Sequence, residues 1–239
     1  MNIRNISSIP LIAIIIIGIA VLLPLPGIVV DVLLMINLLH AIFVFLIGLY
    51  TRKTKSFSLL PIVLIFSTIF SLAVNISSIR LILNQGTSID VWLIRNISNL
   101  VAGSGEILIL SVVIFITLLF VQALVIVRGC ASISKQVLSA KENNQKEKDF
   151  YGAMEGAVKL LSHSEKLRIA IILIPVIGGI VVGTMIHDET IINSLKTYIP
   201  PIIGNGLLLM LPAFLLYLTA SNEVRCKKMK RNIKGSVAP

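Results

Sequence analysis

The chain has 239 residues, of which 56% are hydrophobic and 13% charged, with a mean hydropathy of +0.98. No water-soluble domain carries that balance, so the sequence describes a polytopic membrane protein. The net charge of +10 would point to nucleic acid in a soluble chain, but here the basic residues flank apolar runs and no aromatic-studded basic groove accompanies them; the partner they imply is the lipid bilayer, not nucleic acid.

A helix needs about 20 mostly apolar residues to cross a bilayer. Six stretches are read as spans on that rule: Ile9 to Leu23, Ile28 to Leu49, Phe57 to Val74, Ile107 to Val127, Ile169 to Ile186 and Ile199 to Ala220. Arg4 ahead of the first run resembles the start of a secretory signal, but no small-residue cleavage pattern follows, so the run is read as a retained span. Pro24-Leu25-Pro26-Gly27 predicts a tight turn between spans one and two, because proline cannot continue a helix and glycine relieves the bend. The connection from Asn75 to Gly105 mixes Arg80, Asp90, Trp92 and Arg95 with Ile and Leu, a pattern for amphipathic helical pieces with Trp92 as an interfacial anchor. The expected fold is all-α, a polytopic membrane helical bundle of about six transmembrane helices. Its parts are four spans with the outer connection in 1–127, a basic loop in 128–168, two spans in 169–220 and a basic tail in 221–239.

Charge sets the orientation. With the N-terminus inside, eighteen of the 21 Lys and Arg residues fall on inner segments and three, Arg80, Arg95 and Lys196, on outer ones. Basic flanks are retained on the cytoplasmic side, so both termini and the 128–168 segment are expected to be cytoplasmic.

Polar residues inside apolar runs are functional candidates, since holding them there costs free energy. Asp31 lies at the outer end of span two, where a carboxylate is also favoured simply by a helix N-terminus. Asn37 and His40 follow on one face; His40 is open to two readings, a neutral group bonded to a neighbouring helix or a titratable step in a proton path with Asp31, Arg80 and Glu106. Asn75, Gln122 and Asn205 suit interhelical hydrogen bonds. Gly178, Gly179 and Gly183 give span five a small-residue face for close helix packing or self-association. Cys130 and Cys226 have no metal or redox spacing and are read as free thiols. No GxSxG, HExxH or phosphate-binding glycine loop occurs, so no enzyme, metal or cofactor is expected.

Several strings, in order, resemble the FHIPEP family of flagellar and type III secretion export gates: LPLPGIVVD around Pro24, Pro26 and Asp31; FSTIFSLAVNISSIR with Asn75 and Arg80; DFYGAMEGAVK with Asp149, Phe150, Tyr151 and Gly152; IPVIGGIVVG with Gly178 and Gly179; and IGNGL with Gly204, Asn205 and Gly206. The resemblance covers nearly the whole chain. It also implies charges where this chain has neutral groups: an arginine at Ser71, an aspartate at Asn205, and a lysine and an aspartate at Ser162 and Ser164. The family's central loop signature is missing between SISKQVLSAK and ENNQKEKDFYGAM, and two further spans with a substrate-receiving cytoplasmic domain are absent from this sequence. The resemblance implies a membrane subunit of an export apparatus in the bacterial inner membrane, as a homo-oligomeric ring or in co-assembly with other export-apparatus membrane proteins. A shortened, divergent member is expected, with weakened proton coupling. The alternatives are a small ion channel or secondary transporter, and a relative that folds without function.

Overall fold

The computed structural model describes Gly18 and residues 25–50, 59–102, 108–138 and 145–236. Six helices follow in order: α1 Gly27–Tyr50, α2 Leu60–Gln85, a 3-10 turn Gly86–Ser88, α3 Trp92–Ala102, α4 Leu108–Leu138, α5 Gln145–Met185 and α6 Ile191–Ser236. Five of them are long and apolar enough to cross a membrane: α1, α2, α4, α5 from Asp149, and α6 as far as Cys226. Each takes up one of the predicted spans two to six, apart from a few end residues: 57–59 of span three, 107 of span four and 186 of span five. The predicted first span lies outside the described residues except for Gly18, as do Pro24 and Glu106.

In hydrocarbon every backbone N–H and C=O must be satisfied within the chain, so helices are the form these runs adopt. Their ends follow local chemistry. Pro61 sits in the first turn of α2, where a missing N–H costs nothing. At the other end Gly86 takes φ +56° and its N–H bonds the Ile82 carbonyl, a left-handed stop suited to glycine. The α5–α6 turn places Asp188 at φ 54°, while Glu189 N–H donates to the Gly183 carbonyl at 2.9 Å.

α6 touches every other helix and, with α2, forms the interior. α1, α4 and α5 present large apolar side chains outward, among them Phe43, Phe120 and Ile177, as surfaces in lipid do. α3 differs: eleven residues reach only about 16 Å, too short to cross. It buries Ile94 and Ser98 and exposes Trp92, Arg95 and Leu100, the amphipathic piece that the 75–105 connection predicts.

The 128–168 segment is helical throughout its described residues. α4 runs ten residues past Arg128, and α5 begins at Gln145 and enters the apolar run without a break. Loss of apolarity ends a membrane span but does not end a helix, and neither Pro nor a C-capping Gly intervenes in 130–138 or 157–168.

Candidate functional site: a polar belt between two apolar cores

The interior divides into two apolar clusters. One joins Val44, Leu60, Leu64, Ile126, Met154, Leu161, Leu216 and Val224; the other joins Val30, Leu34, Val74, Ile94, Phe115, Ile172, Tyr198 and Leu209. On each spanning helix the chain passes from one cluster to the other through polar groups: Asn37 and His40 on α1, Ser67, Thr68 and Ser71 on α2, Gln122 on α4, and Ser164, Glu165 and Arg168 on α5. On α6 it passes through the carbonyls just ahead of Pro212.

These groups bond to one another. Asn37 Nδ2 donates to Ser71 Oγ at 3.3 Å, and His40 Nε2 meets Ser67 Oγ at 2.7 Å. Ser67 spends its hydroxyl proton on the Val63 carbonyl at 2.6 Å, so His40 is the donor and carries its proton on Nε2. One turn along, Asn205 Nδ2 donates to Asn75 Oδ1 at 3.0 Å. Arg168 and Glu165 form a buried ion pair at 3.3 Å, and Arg168 Nη1 also donates to the Leu209 carbonyl. Gln122 Nε2 reaches the next carbonyl, Met210, at 2.8 Å. Pro212 lacks the N–H that would bond the Leu208 carbonyl, and its ring loosens this turn, whose next two carbonyls take the side-chain donors. Asn75 Nδ2, Asn205 Oδ1 and Arg168 Nε are buried with no hydrogen-bond partner.

The glycines around Asn205 explain how it arrives there. A side chain on Gly204 would overlap Ser98 and the Ile94 carbonyl of α3, and one on Gly206 would overlap the Phe115 ring of α4. Two helices therefore close directly onto the α6 backbone, and Asn205 between them points at α2. Gly178, Gly179 and Gly183 serve packing within the chain, meeting Leu83, Tyr198 and Ser194 in turn.

Asp31 and His40, two of the four residues of the expected polar path, are not brought together. Asp31 accepts the N–H groups of Trp92 at 2.7 Å and Leu93 at 2.9 Å, and so caps α3, not its own helix. His40 is nine residues, about 13 Å, further along α1 with its own partner. Arg80 is exposed near the end of α2; Glu106 lies outside the described residues. Of the DFYG string, Phe150 and Tyr151 are buried edge to face with ring centroids 5.6 Å apart, whereas Asp149 and Gly152 face outward. The buried pair Glu165 and Arg168 went unread because it sits in a segment whose polarity suggests a loop; the signal was its i, i+3 spacing directly before an apolar run.

Fold and belt together define a polytopic α-helical membrane protein with a hydrogen-bonded polar layer inside its bundle. Among the described residues no cluster of His, Cys, Asp and Glu suits a metal. The chain belongs to the FHIPEP family, which it matches over residues 15–140 and 133–237. The two matched stretches overlap over residues 133–140. Curated relatives include the flagellar biosynthesis proteins FlhA of Borreliella burgdorferi, 31% identical over 90% of this chain and 35% of the relative, and of Treponema pallidum, 33% identical over 86% and 33%. That of Salmonella typhimurium is 28% identical over 81% and 32%. The chain thus spans about a third of the length of the relatives it matches. No solved structure matches it.

Proposed function

We propose that this chain is a membrane subunit of a bacterial protein-export apparatus of the flagellar and type III secretion kind. It sits in the inner membrane as a ring of copies or in co-assembly with other export-apparatus membrane proteins. The observation that carries this reading is the agreement of family and interior: Asn75 and Asn205, from two separate family strings, meet at 3.0 Å in the bundle. In this role the belt is the polar layer that ties the spanning helices to one another, with Asn37–Ser71 and His40–Ser67 joining α1 to α2.

The test is secretion of export substrates by cells lacking the chain, with and without its gene restored. Loss and rescue support the reading; unchanged secretion in both rejects it. The belt by itself also fits a small ion channel or transporter. That reading requires ion or proton flux through the purified chain in liposomes, abolished by His40→Leu, with secretion unaffected.

A further inference from the structure

On the basic side of the belt, α4 and α6 leave a groove of about 300 Å³. Its wall on α4 is Arg128, Gly129, Ser132 and Gln136; on α6 it is Tyr217, Ser221 and Arg225. We propose that this groove binds the phosphate of an anionic phospholipid headgroup.

Three observations converge. The first is charge: two guanidinium groups, from separate helices, line one groove, and among the described residues neither forms an ion pair with a carboxylate. Paired guanidinium groups beside hydroxyl and amide donors match the oxygen-rich, planar-fork chemistry of phosphate. The hydroxyls of Ser132, Ser221 and Tyr217 and the Gln136 amide, which donates to Ser132 Oγ at 3.4 Å, supply those donors.

The second is depth. Arg128 is the first charge after the apolar run of α4, and Ser132 lies ten residues from Gln122, about 15 Å along the helix. That is half of a hydrocarbon core about 30 Å thick, so a belt at the midplane puts the groove at the headgroup boundary. Val125, Ile133 and Val224 complete the wall, giving the mixed polar and apolar lining that a glycerophosphate with its first acyl carbons requires.

The third is construction. A Cβ on Gly129 would collide with the Tyr217 ring and hydroxyl, so the Tyr217 ring lies against bare backbone at that position and closes the belt side of the groove.

The experiment uses the full chain purified in detergent, with lipid binding followed by native mass spectrometry. Phosphatidylglycerol should bind about tenfold or more tightly than phosphatidylcholine of the same chains. R128Q/R225Q should lose about tenfold or more of that affinity, since each removes charge-assisted hydrogen bonds. S132F, at an exposed position, fills the groove while keeping both arginines and the packing, and should also lose binding. R80Q/R95Q removes two charges from the opposite end and should bind as wild type. Retained binding in S132F, or equal loss in R80Q/R95Q, overturns the site. Displacement of the lipid by inorganic phosphate at equal concentration overturns the lipid as its occupant and assigns the groove to a free anion.

Discussion

The Arg168 guanidinium is buried, and its charge is answered by Glu165 and the Leu209 carbonyl. Removing one member of such a pair strands the other in a medium that cannot solvate it. Arg168→Met or Glu165→Leu alone is expected to cost about 3–5 kcal/mol, and the two together far less. Thermal unfolding in detergent checks this: the double variant should melt above both single ones. Asn205→Leu removes the amide that donates to Asn75 Oδ1 and should cost about 1–3 kcal/mol, read in the same assay. By contrast, nothing lies within 4 Å of a side chain at Gly152, in mid-helix. Gly152→Ala should stabilise the isolated chain by about 0.5–1 kcal/mol. At this scale legibility depended on contrast. Asn75, Gln122 and Asn205 stand out against apolar neighbours, and each is bonded across helices, Asn75 with Asn205 and Gln122 to the Met210 carbonyl of α6. Glu165 and Arg168 are surrounded by other polar residues, and their one distinguishing mark was the i, i+3 spacing directly ahead of an apolar run. Ser71, Ser164 and Asn205, three of the positions where the resemblance implies charge, are buried; neutral groups there avoid the desolvation that a charge would meet.

Elements were read well where apolarity defines them and poorly where it stops defining them. Spans two to six each match one helix, yet α2 runs eleven residues beyond its predicted end at Val74, and α5 starts well before Ile169. Hydropathy registers where lipid contact ends, and a helix packed on its neighbours has no reason to end there. Asp31 shows the same limit: its cap on α3 joins residues 61 and 62 positions apart, a pairing no local pattern carries. Asp31→Ala should free the Trp92 and Leu93 amides at a cost of about 0.5–2 kcal/mol. Hydrogen exchange at those two amides should rise selectively, with exchange in α5 unchanged; protection equal to wild type would remove Asp31 from this role.

For the whole molecule, the clusters show that the end of α1, the starts of α2 and α5, and the far ends of α4 and α6 share one end of the bundle. The charge count made that grouping legible, since Arg52, Arg128 and Arg225 all belong to those connections. Which side of the membrane this end faces is settled by labelling. With Cys130 and Cys226 changed to alanine, Lys196→Cys should react with an impermeant maleimide added to intact cells. Lys135→Cys should react only after permeabilisation; the reverse pattern would invert the orientation. The internal division into two cores was not legible, because it depends on which residues of five separate helices come level with one another.

α5 has 41 residues, about 60 Å of continuous helix against a hydrocarbon thickness of about 30 Å. Half of it therefore stands beyond the lipid-spanning part or leans steeply within it, and the whole is one piece of material. A push or twist applied at Tyr151 is delivered to Arg168, and so to the α6 backbone at Leu209, with no hinge along the way. The first weak rung is at Pro175, past the ion pair. Mechanically, α5 is a crank whose handle lies outside the bilayer and whose pin is seated in the belt.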